Sequence, residues 1–332
     1  MTDNLLINEL ADARLNYSKD RLKDLESRLA ALPELRTIPT LTIFGAGSYA
    51  RLEASEYSDI DLFFFSDGAR DDLSEPKTKS LRLFGKVIDI IDSMQFPKFS
   101  NDCEYLVLLH TDEILKNLGS RTDDHENYFT ARMLLLLESR CLYGHDRFAD
   151  VTTKIISSYF KDYPDHSANF QPTFLLNDIC RFWKTLLLNY ENKRTLPPDP
   201  ERRRKHRVRN FKLKFSRLTT CFASVAALAG AGPPVTEQHV LELTKLTPRE
   251  RLLSVQHTPA LRTAVDDVLA RYGWFLEMTG LPTEKLEENF NQRDQSVKMF
   301  NLATEYGDAM FRLLQAIDAS RPELHLLRTL VV

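Results

Sequence analysis

The chain has little cysteine, and the cysteines it has are dispersed. Cys103, Cys141, Cys180 and Cys221 lie about forty residues apart, each in apolar surroundings. They lack the close pairing that zinc sites and redox motifs require. The eight histidines are scattered as well, and none stands four residues from another histidine. These absences argue against a transition-metal site and predict reduced cysteines in the core.

Long apolar runs are also missing. The longest, such as Met133–Leu137 and Phe222–Ala229, are much shorter than the roughly 20 residues of a membrane-spanning helix. The first twenty residues mix acids, amides and aliphatics, without the basic start, apolar middle and cleavage site of a secretory signal. We therefore expect no membrane span and a cytoplasmic location.

Charge is distributed unevenly along a chain of otherwise ordinary globular composition. The net charge of the 332 residues is −3, yet Lys193–Arg217 holds eleven Lys/Arg against only Asp199 and Glu201. Such a concentration of one sign predicts an anionic partner. This partner could be a nucleoside triphosphate, an acidic acceptor protein or RNA.

The first half of the chain combines one helix with strand patterns. Leucines and small residues recur at helical steps over Asn4–Leu32, until Pro33 ends the pattern. Short β-rich runs follow at Leu41–Phe44, Asp59–Phe65 and Lys86–Ile91. The length suffices for two cores. We predict an α+β domain with a small mixed sheet over residues 1–150.

The second half has helical periodicity almost throughout. From Asn127 onward no further strand is predicted, and Thr195–Pro200 is expected to be an extended loop because of its prolines. Val208, Phe211 and Phe215 recur at steps of three and four, so they should lie on the buried face of one helix. The predicted architecture therefore ends with an all-helical domain over residues 151–332.

Two aspartates stand at the start of the second predicted strand. Alternate residues of a strand point to the same face, so Asp59 and Asp61 should project together while Ile60 and Leu62 point the other way. Two like charges this close are unfavourable unless a cation neutralises them. Paired hard oxygen ligands suit Mg²⁺ or Mn²⁺. The spacing therefore predicts a divalent-metal site.

A turn that suits phosphate binding comes shortly before these aspartates. Gly47 and Ser48 follow the first predicted strand, where the backbone N–H groups of a strand-to-helix turn hold phosphate oxygens. Gly47 permits close approach, and Ser48 adds a hydroxyl. Phosphate binding on one side and metal carboxylates on the other predict a two-metal site for in-line attack on a nucleotide α-phosphate.

A third carboxylate is expected from a neighbouring strand. Asp89 is the preferred candidate, because it is the only polar residue inside the apolar run Val87–Ile91 and an unpaired buried carboxylate is unfavourable. Asp92 is the rival, although its place at the end of the run beside Ser93 also fits a solvated turn. We predict that Asp59, Asp61 and Asp89 are the metal ligands and catalytic carboxylates.

Several basic residues are candidates for binding the nucleotide. Arg51 follows the turn and is accompanied by Glu53, with which it either forms a surface pair or orients the phosphate loop. Arg181 and Lys184 stand three apart on one predicted helix. They could reach the β- and γ-phosphates or belong to a solvated helix face.

The stretch Gly47–Leu62, GSYARLEASEYSDIDL, resembles the DNA-polymerase-β-like nucleotidyltransferase superfamily, above all the branch containing the bacterial PII-protein uridylyltransferases. The branch pattern is G-G-Y-G-R-G-E, a short spacer, then S-D-I-D-L. The chain departs from it at Ser48, Ala50 and Leu52. A weaker similarity covers Leu136–Arg140 with Gly144–Asp146.

This resemblance implies an enzyme that moves a nucleoside monophosphate from an NTP to a hydroxyl and releases pyrophosphate. It implies that the helical domain closes the nucleotide cleft and that the hydroxyl belongs to a protein. A nucleotide or RNA acceptor, including synthesis of a cyclic or linear oligonucleotide signal, is the alternative. A nucleotide-binding regulator or antitoxin-like module without turnover is the alternative from another class.

Overall fold

A computed structural model describes residues 2–70, 76–97, 106–194 and 200–331. The chain divides into two compact units. The sheet unit comprises residues 12–161, and the helical unit groups residues 162–332 with the first eleven residues. Cys103 and the expected loop at 195–199 lie outside the described residues.

The sheet unit alternates helices with short strands. It begins with α1 (Thr2–Ala30), which confirms the predicted N-terminal helix. The elements that follow are a 3₁₀ turn (Pro33–Thr37), β1 (Leu41–Ala46), α2 (Gly47–Ala50), β2 (Asp61–Ser66), α3 (Lys77–Ser93), β3 (Leu108–His110), α4 (Thr111–Lys116), α5 (Arg121–His125), α6 (Tyr128–Leu137), β4 (Arg140–Tyr143) and α7 (His145–Ser157). The two strands predicted before and after the Gly-Ser turn are thus confirmed.

Within the described residues, four strands form one mixed sheet in the order β3-β2-β1-β4. Strand β1 pairs antiparallel with both β2 and β4, and β2 pairs parallel with β3. In the β1–β2 register Ala46 lies opposite Asp61. This small mixed sheet, with a mostly helical remainder, confirms the predicted α+β class.

Both faces of the sheet are covered by apolar side chains. Ile43, Leu62 and Phe64 belong to the core that contains residues of α1 and α3, and the Phe64 ring lies 5.0 Å from that of Phe84. The side chains between them point to the opposite face. There Phe44 stacks on Phe63, with ring centroids 5.3 Å apart. Covered on both faces, β1 is buried along its whole length, and Thr42 is its only polar residue.

The third predicted strand is wrong, because Lys86–Ile91 lies inside α3. Its β-branched residues favour a strand by local propensity, but the buried residues of the segment follow a helical period. Leu83, Phe84, Val87 and Ile91 are the buried ones, and they pack into the core beneath the sheet. Tertiary packing of this amphipathic face decides in favour of helix.

The strands β3 and β4 were not predicted. The expectation that no strand follows Asn127 is wrong, since β4 pairs with β1 at the edge of the sheet. β3 and β4 span only three and four residues. Strands this short leave too few positions for an alternating pattern to be distinguished from a helical one.

The helical unit packs its helices around an aromatic core. After α8 (Tyr163–His166) come α9 (Thr173–Arg194), α10 (Pro200–Lys212), a π-helical turn (Leu213–Arg217), α11 (Leu218–Ala231), α12 (Glu237–Lys245), α13 (Pro248–Leu253), α14 (Pro259–Met278), α15 (Thr283–Asn291), α16 (Arg293–Ser320), a 3₁₀ turn (Pro322–Leu324) and α17 (Leu326–Val331). No helix in the described part of the chain has the length and apolarity needed to cross a membrane.

The predicted burial is confirmed for Cys180, Cys221, Phe211 and Phe215, whereas Cys141 is only half-buried. Cys141, Cys180 and Cys221 are free thiols. Burial raises the pKa of the Cys141 and Cys180 thiols to about 11, so they stay protonated near neutral pH. Phe211 and Phe215 are fully buried. These residues therefore serve packing rather than chemistry.

Gly144 provides a test of the strand order, because it stands between β4 and α7 with φ +71°. A Cβ added there would lie 2.5 Å from the Leu41 carbonyl oxygen. We expect Gly144→Ala to lower the free energy of unfolding by about 2–3 kcal/mol, through left-handed strain and this clash. Urea denaturation measures the change.

Gly85→Ala is the matched control, since Gly85 lies on α3 and an added Cβ would meet nothing within 4 Å. It should stabilise the protein by about 0.5–1 kcal/mol, because alanine is the better helix former. Equal effects of the two substitutions would contradict the packing of Gly144 against β1.

Candidate active site

Asp59 and Asp61 lie at the entrance to β2, where burial alternates from residue to residue. Ile60 and Leu62 are buried at 0% and 1% exposure in the core shared with α1 and α3. Asp59 and Asp61 are only half-buried. The alternation places both carboxylates on the side opposite Ile60, as strand geometry predicts.

The Gly-Ser turn lies directly beside these carboxylates. Gly47 follows Ala46, which pairs with Asp61, and has φ +73°. A Cβ added to Gly47 would come 3.1 Å from Asp61 Oδ2. Only glycine has both the left-handed backbone and the space for this approach. The antiparallel pairing of β1 with β2 thus places the turn directly beside Asp61.

The residues after Gly47 differ in what they contact. Ser48 is half-buried at the start of α2, where backbone N–H groups precede the first intrahelical bonds. Tyr49 is 1% exposed and packs edge-on against Phe96, with ring centroids 5.3 Å apart. Burial raises the pKa of the Tyr49 hydroxyl above its usual range. Tyr49 therefore anchors the turn, which leaves Gly47 and Ser48 to line the site.

Arg51 is held in a buried ion-pair bridge. Its Nε donates to Glu53 Oε2 at 2.9 Å, and its Nη1 donates to Glu138 Oε2 at 2.6 Å. The Arg51 side chain is 6% exposed and that of Glu138 is 0% exposed. Of the two interpretations of Arg51 and Glu53, the surface pair is therefore wrong. The bridge fits an orienting role for Arg51 better than direct contact with a nucleotide.

Further contacts tie down the segment between the turn and the aspartates. Arg14 Nη1 donates to the Glu53 carbonyl oxygen at 2.9 Å, and the Ala54 N–H donates to Ser18 Oγ at 3.0 Å. Both partners lie on α1. Arg140, on β4, donates to a backbone carbonyl of α2 at 3.1 Å. These supports hold the backbone that leads to Asp59.

Sequence reasoning missed these supporting residues. Glu138 and Arg140 belong to the stretch whose similarity to the uridylyltransferase branch was noted, so a signal for them was present. Arg14 and Ser18 lie within an ordinary amphipathic helix pattern. Nothing in that pattern distinguishes them from other polar residues of α1.

Asp89 does not lie on a strand beside Asp59 and Asp61. It is on α3 with its side chain 71% exposed, and its Oδ2 lies 3.5 Å from Lys86 Nζ. Asp92 is exposed on the same helix. Among the described residues, no group of three or more His, Cys, Asp or Glu side chains is placed to hold a metal ion. Because the predicted strand is a helix, the basis for choosing Asp89 as third ligand is lost.

Arg181 and Lys184 belong to the helical unit. Both lie on α9, where Arg181 Nη1 is 3.6 Å from Asp178 Oδ1 and Lys184 is exposed. Their contact with the β- and γ-phosphates stays a prediction.

The buried bridge generates a stability prediction. Glu138→Gln should lower the free energy of unfolding by about 3 kcal/mol, because it leaves the buried Arg51 guanidinium without one of its two carboxylates. Asp24→Asn is the control, since it breaks a pair with Arg28 in which both side chains are nearly half exposed. That change should stay within about 0.5 kcal/mol. Similar urea midpoints for the two variants would contradict the conclusion that the buried bridge stabilises the fold.

A comparison with protein families agrees with this geometry. Residues 30–118 match the family model described as nucleotidyltransferase domain. The matched range covers roughly a quarter of the chain and includes the Gly-Ser turn, both aspartates and strands β1 to β3. No curated protein matches the chain. Residues 30–118 are thus similar to nucleotidyltransferase domains, in agreement with the resemblance of Gly47–Leu62 to the polymerase-β-like superfamily.

Proposed function

We propose that this protein is a metal-dependent nucleotidyltransferase that moves a nucleoside monophosphate from an NTP to a hydroxyl and releases pyrophosphate. The observation that carries the proposal is the approach of Asp61 Oδ2 to the backbone of Gly47, at 3.1 Å from the place of a Cβ. This approach supports a single site in which the turn would bind phosphate and the carboxylates would bind the metal, as this transfer requires.

The residues present fit a divalent cation. Mg²⁺ is usually held by one or two carboxylates, several waters and the phosphates of the substrate rather than by a complete protein cage. Asp59 and Asp61 supply such a pair of hard oxygen ligands, and Mn²⁺ would accept the same donors. The cation, when bound, supplies charge stabilisation to the α-phosphate and activation of the acceptor hydroxyl. A two-metal arrangement would share these carboxylates.

The chain's own groups would orient the substrate. The backbone N–H groups of Gly47 and Ser48, with the Ser48 hydroxyl, would donate hydrogen bonds to phosphate oxygens. Arg51 would keep the turn in place through its bridge to Glu53 and Glu138. Positioning of this kind lowers the barrier by holding the reacting groups in near-attack geometry.

The acceptor is proposed to be a hydroxyl on a protein side chain. The similarity of Gly47–Leu62 to the branch of protein uridylyltransferases supports this choice. The second candidate is a hydroxyl of a nucleotide or of RNA. The exposed basic residues of α10 favour it, because they offer a surface for a phosphate-rich partner.

A transfer assay with labelled NTPs tests the function. The full chain is incubated with each labelled NTP and Mg²⁺, alone and with cell extract. Asp61→Asn should lower transfer at least about 100-fold, because loss of the metal ligand removes several kcal/mol of transition-state stabilisation. Asp89→Asn, on exposed α3, should leave transfer within about twofold of the unchanged protein, because the residue lies outside the site.

The products distinguish the acceptors. Label on a protein band supports protein modification, and label in a small nucleotide product or in RNA supports the second candidate. Binding of NTP without transfer to any acceptor would instead identify a nucleotide-binding regulator. A strong loss of transfer in Asp89→Asn would instead show that Asp89 takes part in the reaction.

Gly47→Ala tests the close approach itself. Its added Cβ should push against the Asp61 carboxylate, so we expect transfer to fall at least about tenfold. Gly119→Ala is the control for backbone strain, because Gly119 has φ +76° but no atom within 4 Å of an added Cβ. Both variants should lose about 1–3 kcal/mol of stability. Equal retention of transfer in both would argue against phosphate binding at Gly47.

A further inference from the structure

Helix α10 carries a dense band of exposed positive charge. Six of the ten residues 203–212 are Lys or Arg, and none is acidic. Five of the six are exposed, and we call them the basic face of α10: Arg203, Lys205, Arg207, Arg209 and Lys212. A surface with this density of positive charge attracts polyanions.

The apolar residues of the same helix point inward. Val208 and Phe211 are 7% and 0% exposed, and the Phe211 ring lies 5.5 Å from Phe290 and 5.7 Å from Trp274. The basic face of α10 therefore contains no exposed aromatic or aliphatic side chain that could insert into a membrane or stack on a base.

The orientation of the helix is fixed by its packing. Arg207 Nη1 donates to the Phe290 carbonyl oxygen at 2.7 Å, at the end of α15. Lys205, Arg209 and Lys212 are spaced by four and three residues, so they form one line along the helix. That line covers about 10 Å at 1.5 Å per residue. A row of charges on a fixed helix suits an extended chain of phosphates better than a single phosphate group.

We propose that the basic face of α10 binds the phosphate backbone of a nucleic acid. Its row of Lys205, Arg209 and Lys212 lies on one side of the helix, and both ammonium and guanidinium groups bind phosphate oxygens. An acidic protein fits less well, because protein interfaces also depend on buried aromatic anchors, whereas Phe211 of α10 faces the core. This binding does not depend on the proposed transfer to a protein, and it holds whether the nucleic acid is an acceptor or only a bound partner.

The test measures binding of the full chain to a fluorescent RNA hairpin by anisotropy, over salt from about 50 to 200 mM. Affinity should fall steeply as salt rises. The triple variant Lys205→Gln, Arg209→Gln and Lys212→Gln should bind at least about tenfold more weakly, with a salt slope smaller in magnitude by roughly 2–3, because three phosphate contacts are lost.

A second triple variant controls for net charge. Arg262→Gln, Lys298→Gln and Arg328→Gln removes the same charge from exposed positions on α14, α16 and α17. It should change the hairpin affinity by less than about threefold. Circular dichroism of both variants checks that they fold alike.

Several results would overturn the proposal. They are no binding of the hairpin, equal weakening by the two triple variants, and binding of poly-glutamate as tight as that of RNA. Asp61→Asn keeps the two proposals apart, since it should abolish transfer and leave hairpin binding unchanged. In the unchanged protein, transfer without hairpin binding would overturn only the binding proposal, and hairpin binding without transfer would overturn only the transfer proposal.

Discussion

The antiparallel pairing of β1 with β2 is the constraint on which the site depends. Its register sets Ala46 opposite Asp61, and the chain leaves β1 through Gly47 at that point. Shifting the register by one residue would turn Asp61 into the core and Leu62 toward the site, since side chains alternate between faces. Burial of Ile60, Leu62 and Phe64 on one face therefore also fixes where the carboxylates point.

Buried charge then stabilises the backbone around this register. Arg51 would be unfavourable in the interior alone, but the carboxylates of Glu53 and Glu138 compensate its charge. Glu138 stands 87 residues further along the chain, at the end of α6. The segment between turn and aspartates is thus joined to α6 as well as to α1. A rigid support of this kind suits a site whose chemistry relies on positioning.

Local patterns predicted the part of the fold that holds the candidate site. The β1 and β2 runs, the turn at Gly47 and the aspartates were all recognisable, because strand alternation and turn chemistry act over a few residues. The prediction of a third strand is wrong because it, too, used only the local pattern. The isoleucine-rich segment before Ser93 has strand propensity, and only its packing beneath the sheet makes it the helix α3.

The sequence by itself determined that a strand, the turn at Gly47 and Ser48, and a second strand near Asp59 and Asp61 follow one another, in a stretch similar to nucleotidyltransferase domains. Only the tertiary structure decided that Glu138 holds Arg51, that Asp89 faces solvent, and that the charges of α10 lie outside an aromatic core. The physical reason is the distance along the sequence over which each kind of interaction acts. Backbone periodicity is encoded by neighbouring residues, whereas burial and the pairing of charges depend on residues that meet only after the chain has folded.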